Sequence, residues 1–393
     1  GALAQRIKRA EARGAKEAGE QEMRVVVTGG GTGGHIYPGL AIAERLREDW
    51  GAEVLFVGGD RLEREIVPRA GIPFVSVPAA QLPRTPGIRS IGALLRTVAG
   101  AAQAARFLRK FRPQVVVATG GYASAPVAFA AALLGIPILL QEQNAFPGLT
   151  NRLVARWAAR IAVAHEEAGR HFPPGKVVAT GIPMRSSLFM GSRERARDRF
   201  GLSLAQATVL VLGGSQGAKL LNRAILDALP YLDGARVQVL HQTGKAHIGW
   251  VREEAERLGR EGLRVPYMPL PYLDMEEMAD AYAAADLVVC RAGATTLAEI
   301  TAVGLPAILV PYPYAAEGHQ ERNAKVLAEA GAAVILLQEE LDGRRLSEEI
   351  SRLLQDRPRL RAMAEASRRC GRPDATRQVV DLVLEVARRG RRG

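Results

Sequence analysis

Cysteine is nearly absent: Cys290 and Cys370 are the only two in 393 residues, and no Cys-x-x-Cys spacing occurs. That excludes a disulfide framework and a zinc ribbon, and it fits a reducing compartment. Aromatic residues make up only 5% of the chain. This argues against a nucleic-acid surface built on stacking, and no nucleic-acid motif is found. No uninterrupted apolar stretch approaches ~18 residues, so no transmembrane helix is expected. D-x-D, G-x-S-x-G and any His/Asp/Glu cluster at ligand spacing are all missing, so no catalytic metal is indicated. Acid is the minority charge, with 41 Asp+Glu against 53 Lys+Arg, a net charge of +12 and a pI near 10.1. Such a balance predicts attraction to nucleic acid, nucleotide phosphates or an acidic membrane surface.

Hydrophobic content of 48% and a mean hydropathy of −0.01 describe a soluble globular chain, and 393 residues suit two domains. The first 22 residues are Ala-, Gly- and charge-rich and lack the apolar core of a signal peptide. They read as an appendage or a misassigned start, with the fold beginning at Met23. From there β-branched runs alternate with amphipathic stretches: "RVVVTG", "EVLFVGG", "QVVVATGG" and "PILLQEQ" read as strands, "GLAIAERLRED" as a helix. The pattern restarts at "ATVLVLGGSQGAKLLNRAILDAL", followed by "VQVLHQTG", "DLVVCRAGA" and "PAILVPYP". This predicts an α/β protein of two Rossmann-like, doubly wound domains whose strand ends face a cleft. The boundaries fall at 1–22 for the appendage, 23–185 and 186–375 for the two domains, and 376–393 for a closing helix and basic tail.

Glycine marks the candidate sites. "GGGTGGHIYPG" at 29–39 fits G-x-G-x-x-G at Gly29, Gly31 and Gly34, after a strand and before a helix. Bare amides at a helix N-terminus bind phosphate or a carbohydrate oxygen. With Asp60 after the second strand, a nicotinamide-binding domain is a live alternative. His35 reads as a phosphate ligand, a general base or a polar cap, since its ordinary pKa of ~6.5 suits base work near neutrality. "GGSQGAKLLN" at 213–222 repeats the turn in the second half, where Ser215 and Gln216 add side-chain donors. "RAGATTLAEITAVGLP" from Arg291 reads as a loop and a helix starting near Thr295 or Thr296. There the amides suit a pyrophosphate and Glu299 suits two ribose hydroxyls; a capping box of Thr296 with Glu299 is the competing structural account. Gln320 and Asn323 offer amides suited to sugar hydroxyls, and Glu142 with Asn144 stands at a strand end, where a buried structural acid is a serious rival.

In order, "GGTGGHIYPGLAIAERL", "GGYASAP", "QEQNAFPGLTNR", "TGIPMR", "GGSQGA", "HQTGK", "CRAGATTLAEI" and "HQERNA" resemble the MurG family of N-acetylglucosaminyltransferases from about Met23 to Pro373. The resemblance implies a GT-B fold and an inverting glycosyltransferase without metal or other cofactor. The donor would be UDP-N-acetylglucosamine and the acceptor lipid I, at the cytoplasmic face of the bacterial membrane. Carried over, Thr32, Gly33 and Gly34 would lie at the donor sugar and diphosphate, Asn144 at the N-acetylglucosamine, and Arg185, Ser215 and Gln216 at the diphosphate. Arg291 and the run Ala294, Thr295, Thr296, Leu297, Ala298 and Glu299 would hold diphosphate and ribose, with Glu299 on the ribose hydroxyls. Gln320 and Asn323 would address the sugar, and the Leu273 backbone the uracil. His35 would be the base for the acceptor 4-hydroxyl, with Glu142 as the second candidate. The family often has histidine before "EQN"; Gln141 in this chain removes any ionisable group there. A related lipid glycosyltransferase making glycolipids would share the fold and donor loops.

Positions 84–112 hold seven Lys/Arg and no acid, with Ile91, Leu94, Leu95 and Val98 at helical spacing. The segment reads either as a core helix with a solvated basic back or as a surface for an anionic membrane, which a lipid-linked acceptor requires. Nucleic acid is not expected as a partner.

Overall fold

The structure, a computed structural model, describes residues 23–80, 88–214, 216–315 and 318–390. The first 22 residues, Arg84, Ser215, the Ile91 side chain and the end of the basic tail lie outside the described residues.

Strands form where valine, isoleucine and leucine run continuously, because a parallel sheet is covered by helices on both faces and wants apolar side chains on each. Seven of them, β1 (Arg24–Thr28), β2 (Glu53–Gly58), β3 (Phe74–Ser76), β4 (Val115–Ala118), β5 (Ile138–Glu142), β6 (Ala158–Val163) and β7 (Val177–Ala179), make one sheet in the order β3-β2-β1-β4-β5-β6-β7. Six more, β8 (Ala207–Leu212), β9 (Val237–Gln242), β10 (Tyr267–Leu270), β11 (Leu287–Cys290), β12 (Ala307–Leu309) and β13 (Ala333–Ile335), make a second sheet in the order β10-β9-β8-β11-β12-β13. All pairings are parallel. Each sheet therefore reverses its winding once, at β1/β4 and at β8/β11, and such a reversal opens a crevice at the strands' carboxyl ends. Both Gly-rich turns seen in the sequence lie there, Gly29–Gly34 after β1 and Gly213–Gly217 after β8.

The chain divides into two compact units: residues up to Arg185 together with those from Asp374 on, and Ser186–Pro373. In the first unit one sheet face packs helix Gly33–Trp50, with Ile36, Leu40, Ile42 and Leu46 fully buried beside Val25 and Val27. The other face packs helices Ile88–Phe111 and Ala125–Leu133 through Ala104, Leu108, Val127 and Ala131. The second unit has its own core, centred on Val209, Val211, Leu226, Leu229 and Val289.

Helix Ala375–Gly390, which the sequence set apart with the tail, belongs to the first unit. Val379, Val380, Val383 and Val386 recur at helical spacing and bury against the core that holds helix Gly33–Trp50. Its start is fastened by one side chain. The Met184 N–H donates to Thr376 Oγ1 at 2.8 Å, and the Thr376 hydroxyl donates back to the Met184 carbonyl at 2.6 Å. Thr376→Val keeps the shape and removes both bonds. Two part-buried backbone groups are left unpaired, so urea denaturation should report a loss of about 1–3 kcal/mol.

Candidate active site

Two loops meet at the reversal point of the first unit. β1 delivers Gly29–Gly34 into helix Gly33–Trp50, and β4 delivers Thr119–Gly121. They approach so closely that a Cβ on Gly121, whose φ is +78°, would collide with the Gly30 carbonyl oxygen. His35 stands in the first helical turn, and its Nδ1 lies 3.0 Å from the Thr119 carbonyl. A carbonyl only accepts, so Nδ1 carries the hydrogen and the basic lone pair of the neutral ring is on Nε2. The same carbonyl accepts from Gln143 Nε2 at 2.6 Å, and Gln143 Nε2 also donates to Gln141 Oε1 at 2.6 Å. Pro38, inside the helix, has no N–H for the Gly34 carbonyl, which is left outside the helical ladder.

Glu142 is buried at the end of β5. Its Oε1 accepts from the Asn144 backbone at 2.8 Å and the Asn144 amide at 3.2 Å, and its Oε2 accepts from Asn151 Nδ2 at 2.8 Å. Burial raises its pKa, and these donors pull it back. The geometry is that of an anchor for the Asn144 turn. Asn151 was part of a quoted motif but had been given no task. Glu63 was missed altogether: its fully buried carboxyl accepts the Gly31 N–H at 3.2 Å and fills the space before Gly30 and Gly59, within 2.7 Å of where their Cβ atoms would stand. Asp60 is exposed. Arg185, expected at a diphosphate, is engaged within its own unit by Glu44, Nε to Oε2 at 2.7 Å and Nη2 to Oε1 at 2.5 Å. Thr32 is exposed at the loop tip.

In the second unit Gly217, with φ +77°, abuts the Thr243 carbonyl, leaving no room for a side chain. Asn222 ties that region down: Nδ2 donates to the Thr243 carbonyl at 2.8 Å, and Oδ1 accepts from His241 Nε2 at 3.1 Å. The Tyr267 hydroxyl completes the chain on His241 Nδ1 at 2.7 Å, and burial pushes the His241 pKa down to about 3, so it stays neutral. Gln216 is exposed beside Gly217.

The helix after β11 spans Ala294–Val303, with Gly293 as its extended N-cap and no side-chain cap. The competing capping box does not form, because the helix starts at Ala294 and leaves Thr296 inside its first turn; Glu299 instead accepts the Tyr282 hydroxyl at 2.8 Å. Leu297 donates to the Gly293 carbonyl and buries its side chain, and Ala298 lies deeper in the helix. The first turn thus leaves the amides of Ala294, Thr295 and Thr296 without helical carbonyls. Elsewhere in this unit Asp274, Asp342 and Asp356 each cap a helix with a carboxylate; here there is none, and the positive helix end stays open to an anion. Thr295 Oγ1 and Asn323 Oδ1 are buried nearby and find no hydrogen-bond partner among the described residues, as expected of a site that awaits a polar ligand.

Other expected residues also make contacts within their own unit. Arg291 donates to the carbonyls of Val310 and Pro311 and to Gln338 Oε1, and lies over the Tyr312 ring. Gln320 Oε1 accepts the Tyr312 N–H at 2.9 Å. Leu273 is buried in the turn before helix Met275–Ala284. Among the described residues no three His, Cys, Asp or Glu side chains gather as a metal site, and no helix is long and apolar enough to cross a membrane.

Sequence comparison matches residues 25–163 to the glycosyltransferase family 28 N-terminal domain and residues 208–379 to its C-terminal domain. A Halothermothrix orenii protein named UDP-N-acetylglucosamine--N-acetylmuramyl-(pentapeptide) pyrophosphoryl-undecaprenol N-acetylglucosamine transferase is 45% identical over 372 residues, covering 93% of this chain and all of that one. The chain belongs to the MurG family of glycosyltransferases. A Desulforudis audaxviator relative of the same name is 44% identical over 94% of this chain and 100% of its own length. The crystal structure of Acinetobacter baumannii MurG superposes with a TM-score of 0.72 at 30% identity, covering 92% of this chain and 99% of the other. The architecture is accordingly that of a GT-B enzyme. Family membership overturns the nicotinamide reading, for which Gly29–Gly34 and Asp60 were the basis. The amide of Gly31, at the middle of that glycine run, is already taken by Glu63.

Burial raises the Glu299 pKa to about 7, against the lowering hydrogen bond from Tyr282. A folded-state pKa above the unfolded ~4.3 means that ionisation disfavours the fold. The penalty is absent below the unfolded value and complete above about 7. Glu299→Gln should therefore melt higher than the parent at pH 8, and the difference should vanish near pH 4 in paired thermal scans.

Proposed function

We infer that the enzyme transfers N-acetylglucosamine from UDP-N-acetylglucosamine to the 4-hydroxyl of the muramyl sugar of lipid I, forming lipid II for the cell wall. The observation that carries this reading is the 45% identity that runs the whole length of the Halothermothrix orenii relative. The diphosphate takes the open amides of Ala294, Thr295 and Thr296 and those of the Gly213–Gly217 turn, with Ser215 and Gln216 as side-chain donors. The ribose hydroxyls donate to Glu299, and the Leu273 backbone reads the uracil. Thr295 and Asn323 bring unpaired buried polar atoms to this end of the unit, and Gln320 and Asn323 serve the sugar.

The acceptor hydroxyl attacks C1 from the face opposite UDP. Its proton passes to His35 Nε2, the C1–oxygen bond breaks, and the electron pair leaves on the diphosphate, inverting an α-linked donor to a β-1,4 product. The support for His35 is its Nδ1–H bond to Thr119, which orients the ring and assigns the basic nitrogen. Glu142, held by donors from Asn144 and Asn151, keeps the Asn144 turn in shape for the sugar. Amides aimed at the departing diphosphate stabilise the charge that builds there. Radiolabel transfer from UDP-N-acetylglucosamine to a short-chain lipid I analogue, run with EDTA, should give product. His35→Ala should lose roughly 10²–10⁴-fold in kcat while UDP still binds; binding without transfer by the parent would move the acceptor elsewhere.

The enzyme works as a peripheral protein at the cytoplasmic face of the membrane. Supporting this, Leu94, Leu95 and Val98 are 56%, 65% and 58% exposed on helix Ile88–Phe111, which also carries Arg96, Arg106, Arg109 and Lys110 and no acid. Apolar insertion plus attraction to anionic lipid adds up to reversible binding. A Leu94→Glu/Leu95→Glu variant should sediment less with phosphatidylglycerol vesicles yet keep its rate on a water-soluble acceptor.

A further inference from the structure

Glu299 is required to be two things that conflict: an anion that accepts two hydroxyls, and a half-buried side chain whose desolvation favours the neutral acid. The polar and titratable groups on the elements packed around its helix are identifiable. Helix Met275–Ala284 contributes Tyr282, which is 2% exposed and donates its hydroxyl to Glu299 Oε2 at 2.8 Å. β11 contributes the buried Cys290 thiol, whose pKa burial pushes up to about 12. Helix His319–Glu329 contributes Asn323, with its amide toward the Ala292 carbonyl. Helix Arg357–Cys370 contributes Ser367, on the Ile300 carbonyl, and Arg368, which packs against Gly304 at the opposite end of the Glu299 helix. Tyr282 is held well above its ordinary pKa by burial, so it remains a donor across the working range.

We propose that Tyr282 is a positioning residue for nucleotide recognition: its hydroxyl fixes the Glu299 carboxyl in one orientation and keeps it an acceptor for the ribose diol. This rests on the reading of Glu299 as the ribose-binding acid. A carboxylate offers about four lone-pair directions. One is spent on Tyr282, which locks the plane of the group; Oε1 and the second lone pair of Oε2 remain for two vicinal hydroxyls. Without that lock the side chain would pay rotational entropy on binding. Without that donor, ionisation of Glu299 would be harder still, since the Tyr282 bond is the influence that opposes burial.

The test is calorimetric titration of the full-length protein with UDP and with 2′,3′-dideoxy-UDP between pH 5.5 and 9. It uses the parent, Tyr282→Phe, Glu299→Gln and the double variant. For the parent, UDP affinity rises with pH as Glu299 ionises. Tyr282→Phe should weaken UDP roughly ten-fold at pH 7, the loss expected for one bond to a charged group. It should also move the midpoint of the pH dependence upward and narrow the preference for UDP over its dideoxy analogue. The effect of Tyr282→Phe should disappear in the Glu299→Gln background, which a packing defect would not do. An unchanged midpoint and unchanged dideoxy preference in Tyr282→Phe, with Glu299→Gln still impaired, would overturn the proposal. Dideoxy preference surviving in Glu299→Gln would instead defeat the ribose reading on which it stands.

Discussion

A parallel sheet covered on both faces has no wet side. Strands such as Val25–Val27 and Val115–Val117 are buried completely, so the centre of the sheet has no place for a polar group that meets solvent. Chemistry is confined to the rim where strands stop and helices begin, and there the backbone itself supplies the polar groups. This constraint explains why glycine, rather than charged side chains, marks the sites. A ligand must come within hydrogen-bond distance of main-chain N–H groups, and any Cβ between them blocks it.

The rim is held rigid from behind. In the first unit Gln141, Gln143, Thr119 and His35 form one hydrogen-bonded series, and Glu142 gathers Asn144 and Asn151 in another. In the second unit Tyr267, His241, Asn222 and the Thr243 carbonyl do the same for the glycine turn. Buried polar series of this kind are costly when incomplete and stiff when satisfied. Among the described residues, Gln141 Nε2 and Gln143 Oε1 in the first series and Asn151 Oδ1 in the second are left without a partner.

Much of this was legible in the sequence. Strands and crossover helices announced themselves by β-branched runs and helical periodicity, and the two glycine turns fell where the winding reverses. What escaped was everything decided by a partner far along the chain. Thr296 and Glu299 have capping-box spacing, yet Tyr282, 17 residues earlier, claims the carboxyl. Arg185 looks available until Glu44, 141 residues away, is placed beside it. Glu63 carries no motif at all, and its task emerges only when β2 lies beside β1. Local pattern records backbone preference and burial; long-range polar pairing leaves no periodic trace.

Glu63 has a consequence for how the two halves of one architecture came to differ. Both units wind the same way and carry a glycine turn after the first strand. In one, an acidic side chain of the protein already sits on the turn, a tethered surrogate for an outside anion. In the other, the turn after β8 closes on the Thr243 carbonyl, and the uncapped helix Ala294–Val303 follows a different strand, β11. The first unit's glycine turn thus carries its own occupant. An anion from outside would have to displace a side chain tethered to the same fold before it reached the Gly31 amide.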